Sequence, residues 1–139
     1  MIKAGKSGAV LLRPGLLKTY ERGGGARTTP LVGPATGASV FVNGITTLDA
    51  GVAIPFHSHN CEESVVLLEG EAVMEIDGEE YHLQVLDTTW IPANVSHRFR
   101  NPSQTEPMKI LWIYASVDAT RTLTDTGITN SVSIEHRSK

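Results

Sequence analysis

The stretch that decides the fold is GVAIPFHSHNCEESVVLLEG, residues 51–70, in which two histidines precede a glutamate and a short aliphatic run. Side chains two residues apart on an extended strand project from the same face, so the rings of His57 and His59 can reach a single ion. Glu63 keeps an even spacing from both, and its carboxylate arrives on that face if the strand continues or bends gently. Divalent transition metals accept such a mixed nitrogen and oxygen donor set. The stretch therefore predicts a metal site on β structure.

The chain around this stretch is predicted to be all-β. From residue 39 onward, short segments rich in Val, Ile, Leu and aromatic residues alternate with turn signals, which is typical of strands. No sustained period of 3.6 residues indicates a helix between residues 39 and 118. The pair Asp77-Gly78 predicts a tight hairpin because both central residues of a type I′ turn need positive φ. The expected strands are 39–48, 52–57, 64–69, 72–76, 80–83, 88–91, 97–100 and 109–117.

A length of 139 residues suits one compact domain. We interpret residues 1–37 as an N-terminal arm with a strand and a glycine-rich loop, residues 38–118 as a barrel and residues 119–139 as a C-terminal tail. The run of three glycines between Arg22 and Ala26 lacks the Lys-Ser/Thr ending of a phosphate-binding loop. A lid over the barrel mouth, or an arm exchanged between subunits, accounts for these glycines better.

Composition argues against several function classes. The net charge is -3 with no basic run, which disfavours a nucleic-acid partner and favours a small-molecule partner. No stretch approaches the roughly 20 apolar residues that span a bilayer, so no membrane partner is expected. The single Cys61 excludes an internal disulfide, and together these features predict a cytoplasmic location.

His97 is a fourth candidate ligand, on a later strand. Phe99 shares its parity, whereas Arg98 and Arg100 point the other way, so His97 is expected to face inward and Phe99 to line a cavity. The same parity places Arg98 and Arg100 outside, and Arg121 is a further candidate for binding an anionic substrate. Surface positions without a ligand role are expected for His82 and His136, and a small half-buried structural role for Cys61.

These residues resemble the two motifs of the cupin superfamily of small β-barrels. The first motif, G-x5-H-x-H-x3-E-x6-G, is matched by Gly51, His57, His59, Glu63 and Gly70. The second, G-x5-P-x-G-x2-H-x3-N, is matched by Pro92, His97 and Asn101, with Leu86 and Asn94 where glycines are expected. Asn tolerates the left-handed conformation better than most residues, so the turn at Asn94 is expected to be kept.

The resemblance covers about residues 40–118, including the short spacer of compact bacterial single-domain cupins, and it implies a cupin double-stranded β-helix, an antiparallel jelly-roll barrel. It also implies one divalent transition metal per chain, of the set Fe, Mn, Ni, Co, Cu or Zn, on His57, His59, Glu63 and His97. Because imidazoles must be neutral to bind a metal, binding is expected to weaken below about pH 6. Small cupins of this kind commonly pair, and residues 110–115, apolar on both parities, give a homodimer a physical motive.

Four protein ligands on a six-coordinate ion leave two positions for a substrate or oxygen. The first functional hypothesis is therefore a metal-dependent enzyme on a small organic substrate, an oxygen-dependent dioxygenase. The second is a metal-dependent lyase, hydrolase or isomerase, for which Glu62 and Tyr114 are the nameable acid–base candidates. The third is a non-catalytic module that binds or senses a small molecule.

Overall fold

The computed structural model describes the backbone of residues 1–135 and the side chains through residue 133. Over these residues the chain is almost entirely β structure. Two short 3₁₀ helices, Pro14–Leu16 and Pro34–Thr36, and a terminal helix α1 at Val132–Glu135 accompany the strands. The strands are β1 Ile2–Lys3, β2 Val10–Leu11, β3 Tyr20–Gly23, β4 Ala26–Pro30, β5 Val42–Leu48, β6 His57–His59, β7 Glu63–Glu69, β8 Ala72–Ile76, β9 Glu79–Leu83, β10 Thr88–Ile91, β11 His97–Arg100, β12 Met108–Tyr114, β13 Thr120–Leu123 and β14 Thr129–Ser131.

Two six-stranded antiparallel sheets form a jelly-roll-like barrel, which confirms the all-β prediction. The first sheet has the order β10-β7-β12-β5-β4-β3 and the second has the order β14-β13-β6-β11-β8-β9. Strands β7 and β12 alternate buried and half-buried residues, so one face of each lines the core. The ligand candidates lie on β7 of the first sheet and on β6 and β11 of the second.

Strands from both chain ends extend these sheets. In the segment 1–37, β3 and β4 form a hairpin whose second strand pairs with β5 from Ala26 opposite Leu48 to Pro30 opposite Gly44. All three glycines of the run have positive φ, between 64° and 89°, and they make the turn of this hairpin. In the segment 119–139, β13 pairs with β6. The glycine run is therefore a hairpin turn on the first sheet.

The predicted strand at 52–57 is wrong, because the strand in this region is β6, His57–His59. Residues before it run beside β11 with isolated pairings: the N–H of Asn101 donates to the Val52 carbonyl at 2.8 Å, and the N–H of Ile54 donates to the Phe99 carbonyl at 3.2 Å. Pro55 follows and has no N–H to donate, so the ladder is interrupted before it reaches His57.

The side chain of Trp112 is a fixed element of the barrel interior. Its indole N–H donates to the Thr46 hydroxyl at 2.9 Å, and its ring stacks on Tyr114 with centroids 4.8 Å apart. Gly44 lies against the ring, because a Cβ at that position would be 2.3 Å from a ring carbon. The absence of a side chain at residue 44 therefore makes room for Trp112, which is 3% exposed.

The turns at Asp77-Gly78 and Asn94 confirm the backbone requirements inferred from the sequence, and Leu86 adds a third left-handed position. Asp77 and Gly78 have φ of 54° and 76°, as a type I′ hairpin requires. Asn94 has φ of 65° and Leu86 has φ of 77°, so both residues that replace motif glycines keep the left-handed conformation. For Leu86 this conformation costs about 1–2 kcal/mol relative to glycine.

The apolar strand predicted at 109–117 is β12, and it presents different surroundings on its two faces. Ile110, Trp112 and Tyr114 are buried inside the barrel, whereas Leu111 and Ile113 are half-buried on the outside. The homodimer stays a prediction.

Among the described residues, no helix has the length and hydropathy needed to cross a bilayer.

Candidate metal centre

The fold brings the four predicted ligands together. His57 and His59 project from one face of β6, Glu63 begins β7 on the other sheet, and His97 begins β11 opposite His57. One ligand atom from each residue lies within 4.8 Å of the others, and all four side chains are at most 4% exposed. Glu63 Oε1 is 2.8 Å from His97 Nε2, and Glu63 Oε2 is 3.3 Å from His59 Nε2. His59 and His97, 38 residues apart in sequence, thus meet around one carboxylate.

Backbone carbonyls fix the orientation of every imidazole. The Nδ1 atom of His57 lies 2.8 Å from the Pro55 carbonyl oxygen, that of His59 2.9 Å from the Thr120 carbonyl, and that of His97 2.9 Å from the Val95 carbonyl. A carbonyl oxygen only accepts, so each Nδ1 carries the proton and donates it. In the neutral rings the Nε2 lone pairs are then left for another partner. Metal-ligating histidines are oriented by outer hydrogen bonds of this kind.

Three polar atoms at the centre of this cluster lack a hydrogen bond. They are His59 Nε2, His97 Nε2 and Glu63 Oε1. Glu63 Oε1 is close to His97 Nε2, but the contact does not have hydrogen-bond geometry. When the His97 ring is neutral, both of these atoms are acceptors. Burying unpartnered polar atoms costs about 1–3 kcal/mol each. A cation among these atoms would satisfy all of them at once, so the donor set fits a divalent transition metal.

The electrostatics of the cluster keep the carboxylate ionised. Burial alone would raise the pKa of Glu63, but the imidazoles of His59 and His97 lower it to about 2. Burial is the main cause that holds the pKa of His57 well below its usual value of 6.5. For His97, burial acts in the same direction, but the neighbouring Glu63 carboxylate outweighs it and raises the pKa above 6.5. The carboxylate of Glu63 therefore favours a proton on His97, whereas burial disfavours one on His57.

A small cavity opens onto the cluster. Its volume is about 30 Å³, enough for a few atoms beside an ion. Its lining mixes aliphatic and aromatic side chains with two arginines: Arg22, Thr46, Ile54, His57, Glu63, Val65, Phe99, Ile110, Trp112, Tyr114 and Arg121. Phe99 is a lining residue as predicted, and the Tyr114 ring lies 4.4 Å from the His59 ring. A second, largely apolar cavity of about 600 Å³ shares Trp112 as a wall.

Several other candidates from the sequence lie away from this cavity. Glu62 is exposed and accepts a hydrogen bond from the Trp90 indole at 2.8 Å, so it is not among the lining residues. Arg98 and Arg100 pair with Glu75 and Glu80 on the outer face of their sheet, as strand parity indicated.

Neither Cys61 nor His82 belongs to the cluster. Burial raises the pKa of the Cys61 thiol, which disfavours a reactive thiolate. His82 is exposed on β9, and His136 lies outside the described residues.

The sequence did not predict a site role for Arg22, and it gave Arg121 only as a further candidate for binding an anionic substrate. Arg22 belongs to the segment interpreted as an arm with a strand and a glycine-rich loop, and Arg121 belongs to the segment interpreted as a C-terminal tail. The Tyr20–Gly23 segment gives no local sign that it joins the barrel, and the residues of β13 resemble a polar loop. Only the long-range pairing of Arg121 with His59 puts this arginine beside the cluster.

Comparison with known proteins gives the family. The family model described as "Cupin domain" matches residues 44–114, about half of the chain. The match includes all four residues of the cluster but neither of the arginines at the cavity.

Relatives with names that describe an activity differ among themselves. The polyketide synthase CurC of Streptomyces cyaneus is 36% identical over 88 residues, covering 62% of this chain and 56% of that protein. The auxin-binding protein T85 of Nicotiana tabacum is 26% identical over 104 residues, covering 68% of this chain and 56% of that protein. The chain thus spans just over half the length of these curated relatives.

Among solved structures, the polyketide cyclase RemF of Streptomyces resistomycificus superposes with a TM-score of 0.72. Its identity to this chain is 16%, and the match covers 89% of this chain and 85% of that one. This likeness supports the fold alone.

Proposed function

The chain belongs to the cupin family, and from that membership we propose that it is a metal-dependent enzyme acting on a small β-dicarbonyl compound. The observation that carries the proposal is the set of inward Nε2 and Oε1 atoms that lack hydrogen bonds in a buried cluster. His57, His59, Glu63 and His97 are the residues that hold the ion. When bound, a divalent ion in this place acts as a Lewis acid that polarises a carbonyl and favours loss of the neighbouring proton.

The reaction class we favour is enolisation without oxygen, as in a lyase, isomerase or cyclase. The relative at 36% identity is named a polyketide synthase, and polyketide-type substrates offer paired carbonyl oxygens that can chelate an ion. Two lining residues carry a hydroxyl, Thr46 and Tyr114, and the Thr46 hydroxyl already accepts from the Trp112 indole. Tyr114 has the more acidic phenol, which can carry a proton, and its ring is held between Trp112 and His59. The role of proton carrier therefore goes to Tyr114 and not to Glu62.

Oxygen-dependent dioxygenase chemistry is the second candidate. The observation in its favour is the apolar part of the lining, formed by Ile54, Val65, Phe99 and Ile110, which suits a small apolar molecule such as oxygen. Both candidates share the same ion and differ in whether oxygen is consumed.

One experiment separates these functions. Protein loaded with its native metal is incubated with acetylacetone in deuterated buffer, once without oxygen and once in air with an oxygen electrode. Proton exchange at the central carbon without oxygen, faster than in metal-stripped protein, supports enolisation. Oxygen uptake that depends on substrate supports a dioxygenase. Tight binding of the compound with neither outcome supports a binding module, and a protein that takes up no metal contradicts the proposal.

The Tyr114→Phe variant tests the proton carrier. Removal of a general acid or base lowers rates by roughly 10²–10⁴-fold, so the exchange rate should fall by about that factor while metal content stays unchanged. Tyr81→Phe is the matched control because Tyr81 is 49% exposed and far from the cavity lining. An exchange rate equal to that of the unaltered protein would remove Tyr114 from the mechanism.

Metal affinity should decrease as the pH is lowered. The decrease should begin at a pH above 6, the value expected from ordinary imidazoles. The carboxylate of Glu63 raises the pKa of His97 above 6.5 despite burial, and a proton on its Nε2 must leave before a cation can bind. Affinity should therefore fall about tenfold per pH unit once the pH drops below that pKa. Isothermal titration with zinc between pH 8.5 and 5.5 measures this, and an affinity that is constant down to pH 6 would contradict it.

A further inference from the structure

Two arginines reach the cavity of the metal centre from opposite sheets. Arg22 lies on β3 of the first sheet and Arg121 on β13 of the second, and both line the cavity with His57 and Glu63. The ladder between β13 and β6 pairs Arg121 directly with His59. Residues opposite each other in an antiparallel pair project to the same side, so Arg121 points the same way as a proposed ligand.

The charge of Arg121 acts on the ligands themselves. Burial is the first cause of the lowered pKa of His57, and the positive charge of Arg121 is the next. The same charge opposes protonation of His97. Because Arg121 pairs with His59 and lines the cavity with His57 and Glu63, it borders the place where a ligand of the cation would bind.

The charges at this cavity are unbalanced once a cation is bound. Glu63 is the only acid among the described residues that line it, against Arg22 and Arg121. With a divalent ion the lining would carry a formal excess of about three positive charges, which favours an anionic ligand. Each arginine also has an interaction within the protein, and a guanidinium has five N–H donors, so it can keep that interaction and still bind a ligand.

We propose that Arg22 and Arg121 bind a carboxylate of the substrate, which makes the substrate a β-oxo carboxylic acid. This inference rests on the proposed function, since it needs the ion at the four-residue cluster. Arg22 and Arg121 would donate to the carboxylate, and a cation held by His57, His59, Glu63 and His97 would polarise the neighbouring oxo group. The cavity volume of about 30 Å³ limits the chelating part to a few atoms, which such a head group satisfies. The two arginines are positioning and specificity residues, separate from the proton carrier.

The test compares two chelators on cobalt-loaded protein, followed by the visible spectrum of the ion. Malonate and acetylacetone both chelate through two oxygens in a six-membered ring, but only malonate leaves carboxylate oxygens for the arginines. Hydrogen bonds to charged groups contribute about 1.5–3 kcal/mol, so Arg121→Gln should weaken malonate binding by roughly 10- to 150-fold and Arg22→Gln by a similar factor. The affinity for acetylacetone should change by less than about threefold, which is less than the loss of one charged hydrogen bond would cause.

Controls separate the possible failures. Arg98→Gln is the matched control, because Arg98 pairs with Glu75 on the outer face and should leave both affinities unchanged. Arg121→Lys keeps the charge and should recover part of the malonate affinity, and it also serves if Arg121→Gln does not fold. If the unaltered protein takes up no cobalt, the proposed function fails. If cobalt binds but malonate affinity is equal in all variants, or both chelators weaken together, only the role of the arginines is overturned.

Discussion

The His97→Ala variant should lose its metal almost completely. An apparent binding energy of about 10–16 kcal/mol shared by four ligands gives roughly 3 kcal/mol per ligand, so the affinity should fall by at least about 100-fold. The rings of His57 and His59 keep their orientation, because the carbonyls of Pro55 and Thr120 hold them independently of the His97 side chain. Metal analysis after dialysis should find about one ion per chain in the unaltered protein and almost none in the variant.

A thermal readout makes this result independent of dialysis. Excess zinc should raise the melting temperature of the unaltered protein, since a ligand at 100 times its Kd stabilises the folded state by about 2.7 kcal/mol. The His97→Ala variant should show no such rise. His82→Ala is the control, because His82 is exposed on β9 and outside the cluster. A variant at residue 97 that still binds one ion per chain would remove His97 from the ligand set.

The Asn101→Ala variant should be the most destabilised of the single substitutions considered. Asn101 is 2% exposed, and its Nδ2 group donates to the carbonyls of Leu48, Asp49 and Glu106 at 3.2, 3.1 and 2.8 Å. Its Oδ1 accepts from the Ser103 N–H at 3.0 Å. This side chain joins the end of β5 to the loop before β12.

Truncation at residue 101 leaves those backbone groups without partners. Each orphaned buried group costs about 1–3 kcal/mol, so the free energy of unfolding should fall by about 3–5 kcal/mol and the melting temperature by about 10–15 °C. Asn101→Asp should be at least as damaging, because a carboxylate cannot donate to three carbonyl oxygens. Asn60→Ala is the control, since its hydrogen bonds are exposed and should contribute less than about 1 kcal/mol. A loss at residue 101 equal to that control would contradict the bracing role of Asn101.

The ligand cluster could be predicted from the sequence because neighbouring residues indicate which face each ligand side chain projects from. Period-two spacing put His57 and His59 on one face, and parity with Phe99 turned His97 inward. The left-handed turns at Asp77 and Asn94 were likewise readable from residue type. Each of these inferences needed only a few neighbouring residues.

The rest of the site depends on pairing between distant segments. Arg121 reaches the cluster because β13 pairs with β6, some 60 residues earlier, and no residue near Arg121 signals that partner. Arg22 is placed by a hairpin whose turn glycines suggested a loop. Pro55 is the opposite case, because a single residue changed the local structure. Hydropathy predicted a strand over 52–57, but Pro55 has no N–H to donate, and the strand in this region is His57–His59.

The sheets extend beyond the portion of chain that defines the family, and this limits how the protein can be shortened. A fragment cut to residues 44–114 would uncover the hydrogen-bonding edges of β5 and β6, which are covered by β4 and β13. Bare edges recruit other chains, so such a fragment should self-associate through them. It would also lack Arg22 and Arg121, and with them the proposed contacts to a substrate carboxylate, even if it kept every metal-binding side chain. Proteins that share only the central segment with this one therefore need not share its choice of substrate.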